Sequence, residues 1–253
     1  WQLLWTISEF FAYSDQREAN KNQNPAFLSV FDGNPFKSAP KNNIDDNFKN
    51  DVKADDAFSI VSNISNLLFE NISTLHYNQK EGTFIDTFNG KQGVEVTAYD
   101  AAYSMEALRI FQRAVDALPV GYGSGENSQS LDSKRGKEAL KLISSQADFL
   151  IKNLKCQKSG LYKDSYAIGK GSPEIKSLGT QFAVVRGLTS AYLATHDKKY
   201  RDEARALMVS IENNMYDANL GTYADSTKEF TPYTIGAVSG GLRDAISNLK
   251  NTM

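Results

Sequence analysis

The sequence predicts an all-α protein assembled from repeated α-hairpins, with short β-turn elements at the hairpin corners. Three observations predict it. Apolar residues recur at steps of three and four in seven separate stretches. A Gly-x-aromatic-x-Asp motif follows a helix end three times. No run of alternating apolar and polar residues is long enough to build a sheet.

Residues 1–19 read as a lone amphipathic helix, with Leu4, Ile7 and Phe11 in its stripe and Leu3 and Phe10 on the flank. Residues 20–54 form a long irregular segment rich in Asn, Asp and Lys, interrupted by Pro25, Pro35 and Pro40. Its apolar cluster, Phe27, Leu28, Val30, Phe31 and Phe36, predicts that the first part packs onto the body.

Residues 55–253 form the repeat array, and the chain as a whole reads as one repeat domain. The first helix of the array runs from Asp55 to Leu75 on Phe58, Val61, Ile64, Leu68 and Ile72. Thr97–Leu118 carries the cleanest stripe, Ala101, Met105, Leu108, Phe111 and Val115, and Pro119 stops it. Gly121, Gly123 and Gly125 mark a surface loop. Ser133–Lys155, Leu178–Thr195, Lys199–Met215 and Thr234–Leu249 complete the set. The short β-like stretches around Phe84 and Tyr162 predict small hairpins.

Composition excludes several classes of function. The chain has 253 residues, 41% of them hydrophobic, enough for a sizeable core. A formal net charge of −2 with no basic stripe argues against a nucleic-acid partner. The apolar runs are far too short for a transmembrane segment. Cys156 is alone and cannot form an internal disulfide, and His76 and His196 are far apart, so no metal site is predicted. No Walker loop, dinucleotide fingerprint, Gly-x-Ser-x-Gly elbow, haem-attachment motif or His-Glu-x-x-His is present, and no cofactor is predicted. The cluster Asp45, Asp46, Asp51, Asp55 and Asp56 lacks calcium-loop spacing and reads as a solvated acidic segment. Asn63-Ile64-Ser65 and Asn71-Ile72-Ser73 fit the glycosylation pattern by chance, because both fall in a helix. A start at Trp1, already inside a helical pattern, predicts a processed chain or part of a longer one, and an extracytoplasmic location is favoured.

The three corners are Gly82-Thr83-Phe84-Ile85-Asp86-Thr87, Gly160-Leu161-Tyr162-Lys163-Asp164-Ser165 and Gly221-Thr222-Tyr223-Ala224-Asp225-Ser226. Glycine suits the positive φ found just past a helix end, and the Asp and hydroxyl residue can bond loop backbone. Thr97, Thr180 and Thr234 each open the next helix, with apolar Met105, Leu188 and Leu242 eight positions on. Such units must stack to bury their apolar faces, which makes a solenoid or a closed ring.

These corners and Thr-led helices resemble the (α/α) toroid proteins, the six-hairpin glycosidase-like superfamily with its epimerase and lyase relatives. The resemblance runs from about Asp55 to Leu249. It implies a toroid or partial toroid in which the starts of the corner-led helices line a cleft and carboxylates serve as acid and base on sugars. The implied partners are a polysaccharide or oligosaccharide and a protein that completes the toroid.

On that resemblance, Asp100, Glu106 and Asp86 are the candidate catalytic carboxylates; Tyr99, Tyr103 and Tyr162, with Tyr166, Tyr223 and Tyr233, are candidates for stacking on sugar, and Arg186 for binding a carboxylate such as a uronate. An aspartate that recurs in every corner, such as Asp86, Asp164 or Asp225, is expected to hold the repeat together. Residues that break the repeat are stronger site candidates. With the threonines aligned, Asp100 stands where the other repeats have Ala183 and Ala237, Tyr99 where they have Phe182 and Gly236, and Glu106 where they have Thr189 and Arg243. The alternative reading is a non-catalytic helical-repeat subunit that binds a protein partner. A third is an epimerase or lyase on a small sugar.

Overall fold

A computed structural model of the chain describes residues 1–15, 17, 57–120 and 125–250. The segment 20–54, the acidic cluster from Asp45 to Asp56 and the loop glycines Gly121 and Gly123 lie outside them. Among the described residues are seven α-helices, α1 (Gln2–Ser14), α2 (Ala57–Asn71), α3 (Ala98–Val115), α4 (Lys134–Asn153), α5 (Leu178–Thr195), α6 (Lys198–Met215) and α7 (Pro232–Asn248). Each falls on a predicted apolar stretch. α1 ends well before residue 19, because Asp15 turns to an extended conformation (φ −68°, ψ 115°). Its carboxylate accepts from both the backbone N–H and the guanidinium of Arg17.

The strands are two or three residues long: β1 (Tyr77–Asn78), β2 (Thr83–Phe84), β3 (Thr87–Phe88), β4 (Lys91–Gln92), β5 (Glu95–Thr97), β6 (Ser165–Ala167), β7 (Tyr216–Asp217) and β8 (Thr222–Tyr223). They pair antiparallel in four two-stranded ribbons. The β3–β4 turn is Asn89-Gly90, with φ of 49° and 73° at the two central positions, the signature of a two-residue primed turn. The β5–β6 ribbon joins the loops that lead into α3 and α5.

The chain divides into two compact units. One comprises residues 1–74 and 107–141. Here α1 packs on α2 through Phe11 and Phe58, whose rings are 5.5 Å apart, and through a 2.8 Å Ser8–Ser65 hydroxyl contact. Phe69 stacks on Phe111 at 4.3 Å. The buried Arg17 donates to the carbonyls of Ala114 and Val115, satisfying acceptors that the end of α3 leaves open. Asp116 accepts from the Ser133 N–H and the Gln112 amide. A Cβ at Gly136 would overlap the Asp116 carboxylate, which would have to shift to admit it.

The other unit comprises residues 75–106 and 142–253. α5 is its core, and nearly every residue from Leu178 to Ala191 is buried. Gly187 lets α5 approach α3 so closely that a Cβ would sit 2.8 Å from the Ala102 backbone. Gly241 does the same for α7 against the Phe182 carbonyl, at 2.7 Å. α6 buries Tyr200, Ala204, Leu207, Ile211 and Met215, one stripe at helical spacing.

All three corners belong to this unit and share one backbone design. β1 pairs with β2 through Tyr77 and Phe84, Lys155 bridges to Tyr162, and Tyr216 pairs with Tyr223. Gly82, Gly160 and Gly221 all take positive φ, 73°, 73° and 65°. Their N–H groups donate to Asn78, Cys156 and Asp217 at 2.8, 2.8 and 2.9 Å.

The helix starts correct the repeat register by three residues. Thr97 immediately precedes α3, whereas Ser177 and Thr231 are the N-caps of α5 and α7. The residue three further on bonds back to each cap: Asp100 Oδ2 to Thr97 at 2.6 Å, Thr180 to Ser177 at 2.9 Å, and Thr234 to Thr231 at 3.1 Å. Asp100 therefore stands opposite Thr180 and Thr234, not Ala183 and Ala237. Glu106 shares its position with Arg186 and Gly240. Tyr99 shares its position with Gly179 and Tyr233.

Candidate functional site

In the corrected register the second residues of α3, α5 and α7 are Tyr99, Gly179 and Tyr233. The rings of Tyr99 and Tyr233 approach to 5.3 Å. Tyr99 also lies 4.8 Å from Tyr103, one turn further along α3. Tyr233 is 60% exposed and Tyr103 is 6% exposed, so the three rings step from solvent into the core. Burial, together with the neighbouring Tyr103, Tyr233 and Asp100, pushes the Tyr99 hydroxyl well above the usual phenol range. It stays protonated and can donate.

Asp100 is exposed beside this aromatic step, with Thr97 donating to its carboxylate. Glu106 is 3% exposed and lies deeper on α3. Ser190 Oγ donates to Glu106 Oε2, and Arg186 Nη2 is 3.5 Å from Oε1. The Arg186 guanidinium also faces the Tyr103 ring at 5.5 Å and comes within 3.2 Å of Asp244 Oδ2. Arg243 donates to the other oxygen of Asp244 at 2.7 Å. A Cβ at Gly240 would meet Arg186 Nη1 at 3.0 Å, so the small residue of α7 makes room for the guanidinium. Burial raises the Asp244 pKa against the opposing pull of Arg243 and Arg186. Asp244 thus lies between the guanidiniums of Arg186 and Arg243, and Glu106 lies on the other side of Arg186.

Six residues separate Asp100 from Glu106. On a helix that is about 9 Å along the axis and about 120° around it. The two carboxylates point to different surroundings, one to solvent and one to the Arg186 pair.

The remaining predicted residues sit elsewhere in the unit. Asp86 is exposed in the first corner. Tyr162 is 0% exposed; its hydroxyl donates to Glu203 at 2.9 Å, and its N–H donates to Gln181 at 2.7 Å. Asp164 accepts from the Ser177 N–H and hydroxyl, and Asp225 accepts from the Leu178 N–H. Two corner aspartates thus cap the same helix, α5. For Asp225, burial works against the anion, but the bonds from Leu178 and Thr227 outweigh it and lower its pKa.

Sequence reasoning named Tyr233 among the aromatics able to stack on sugar but missed Ser190 and Asp244. Aligning the corner-led helices on their caps matches Tyr233 with Tyr99. Ser190 and Asp244 carry no local signal, since their partners are distant in sequence.

No protein-family model and no curated protein matches the chain. Solved structures do. A sugar epimerase from a ruminal bacterium superposes with a TM-score of 0.54 at 13% identity, over 74% of this chain and 48% of that one. The cellobiose 2-epimerase of Spirochaeta thermophila gives 0.54 at 14% identity, over 98% and 54%. A glycoside hydrolase family 76 mannosidase from Bacteroides thetaiotaomicron gives 0.52 at 10% identity, over 74% and 48%. The chain spans about half the length of these structures. The likeness is one of fold: this chain has the α-hairpin architecture of the (α/α) toroid proteins.

Proposed function

We propose that the chain is a carbohydrate-binding part of a carbohydrate-active toroid, contacting a saccharide through Tyr99, Tyr233 and Asp100. The observation that carries this reading is the pair of tyrosine rings 5.3 Å apart at the starts of α3 and α7, Tyr233 exposed and Tyr99 half-buried. Tyrosine offers an apolar face to the C–H side of a sugar ring and a hydroxyl to its polar edge. An exposed carboxylate next to such rings can accept two sugar hydroxyls. The fold shared with two sugar epimerases and a mannosidase supports the same class of ligand.

Binding is favoured over hydrolysis by the placement of the carboxylates. Glycoside hydrolysis needs two carboxyl groups flanking one bond, and Asp100 and Glu106 do not face a common space. Glu106 and Arg186 instead form the support beneath Tyr103.

The test is affinity electrophoresis and calorimetry of the chain against yeast α-mannan and cello-oligosaccharides. Binding should weaken about tenfold, roughly 1.4 kcal/mol, in Tyr233→Ala and Tyr99→Ala, and should weaken in Asp100→Asn. Binding that is absent across both sugar classes, or indifferent to both tyrosine changes, removes the reading.

A further inference from the structure

The second corner and the loop after it are basic, in a chain whose formal net charge is −2. Lys155, Lys158, Lys163, Lys170 and Lys176 stand there against Asp164 and Glu174. The third corner and its loop are the reverse, with Asp217, Asp225 and Glu229 against Lys228. A groove of about 860 Å³ runs between the two. Glu174 and Lys176 line one wall; Asn214, Asp217, Asn219 and Ser226 line the other.

The backbone brings the charges of the basic wall together. The Asp164 N–H donates to the Ile175 carbonyl at 2.9 Å. That bond sets Lys163 beside the residues on either side of Ile175. Lys163 Nζ lies 2.6 Å from Glu174 Oε1, and Lys176 Nζ lies 2.9 Å from Oε2. Each carboxylate oxygen thus has its own ammonium. The two lysine side chains are 21% and 19% exposed, and that of Glu174 is 69% exposed. The cations are set into the wall, and the anion lies on the water side. Hydrogen bonds from Lys163 and Lys176 hold the Glu174 carboxyl down to about 2. An ion pair this open to water contributes little to stability, so the carboxylate can swing away with little loss. The other charges of the groove are already engaged. Lys228 lies 2.8 Å from Asp217, and Asp225 accepts from the Leu178 N–H. A departing Glu174 therefore leaves its positive charge on Lys163 and Lys176.

We propose that this groove is a second saccharide site, for an acidic sugar whose carboxylate replaces that of Glu174 between Lys163 and Lys176. The ligand is a uronate-bearing oligosaccharide. Its carboxylate has the shape of the one it displaces, and its ring hydroxyls suit the amides of Asn214 and Asn219 and the hydroxyl of Ser226. The choice of a sugar over another carboxylate rests on the carbohydrate reading above, but the site shares no residue with Tyr99, Tyr233 and Asp100.

The probe is tetragalacturonate, titrated calorimetrically into the full chain, with cellotetraose as its neutral counterpart. Tetragalacturonate should bind saturably, and more weakly as salt is raised. Lys163→Gln and Lys176→Gln should each weaken it about tenfold. Glu174→Gln should tighten it about threefold or more, because no internal carboxylate then holds the place of the ligand. Lys80→Gln, at an exposed lysine of the first corner, should leave it unchanged. A flat titration overturns the proposal, as does an equal loss in Lys80→Gln or a Glu174→Gln variant that binds no more tightly. Citrate binding as tightly as tetragalacturonate would assign the two lysines to carboxylates at large and overturn the saccharide assignment. Cellotetraose binding that Tyr233→Ala weakens, without tetragalacturonate binding, would keep the aromatic site and overturn this one.

Discussion

The guanidinium of Arg186 on α5 sits 5.5 Å from the ring of Tyr103 on α3, with Glu106 on one side of it and Asp244 on the other. One buried cation thus ties α3, α5 and α7 together. Removing it leaves two buried carboxylates without their shared partner. Arg186→Met should destabilise the chain by about 3–5 kcal/mol, read from urea unfolding. A variant that also carries Glu106→Leu and Asp244→Leu should recover part of that loss, since apolar groups of similar volume replace buried ion pairs at little cost. A loss in Arg186→Met no larger than that of a surface substitution would contradict this arrangement.

Two glycines predict opposite signs. Gly187→Ala places a Cβ 2.8 Å from the backbone of Ala102. The helices must part, and a loss of about 1–3 kcal/mol is expected. Gly236 in α7 has nothing within 4 Å of its Cβ position. There alanine should stabilise by about 0.5–1 kcal/mol, through the lower entropy of the unfolded chain. Thermal melts of the two variants would shift in opposite directions.

Asp225 predicts a pH dependence. Its pKa is lowered in the folded chain from the ordinary 3.8. A depressed carboxylate contributes stability above its unfolded pKa and loses it as pH falls through the folded value. Asp225→Ala should therefore cost about 1 kcal/mol near neutrality, as the loss of a helix cap does. The gap between wild type and variant should close as the pH drops below about 4. A gap constant from pH 7 to pH 3 would show that the bond to Leu178 does not carry the effect.

Cys156 predicts a reactivity. Hydrogen bonds from Ser159, with Lys176 nearby, draw its thiol down to about 7. Alkylation by iodoacetamide should reach half its maximal rate near that pH, against about 8.5 for an ordinary cysteine. Ser159→Ala should move the midpoint upward.

The helices were legible because α3 to α6 each keep a strict three-and-four apolar stripe. The polar side of α3 was not legible in the same way. Periodicity would send Ser104, Glu106 and Arg109 to solvent, yet all three are buried. Their burial depends on partners contributed by distant helices: Glu106 meets Ser190 and Arg186, about eighty residues on, and no local pattern records that. The repeat itself was found through its corners, but aligning on threonine alone slipped the register. Serine and aspartate can fill the same capping positions, so the true equivalents, Ser177 and Asp100, were hidden by their different identities. The Asn89-Gly90 turn carried a strong local signal that the helical reading passed over.

The first two corners are seated on later helices, the Gly82 corner on Ser145 and Gln146 of α4 and the Gly160 corner on Ser210 and Glu203 of α6, and this gives the array a direction. Corner one cannot be fastened until α4 exists, nor corner two until α6 exists. Damage should therefore spread one way. A lesion in α6, such as Ser210→Trp, should loosen the Gly160 corner and leave the Gly82 corner shut, and amide exchange measured residue by residue would show that asymmetry. In a chain made from its N-terminus, each of these two corners waits for a later helix before it is latched.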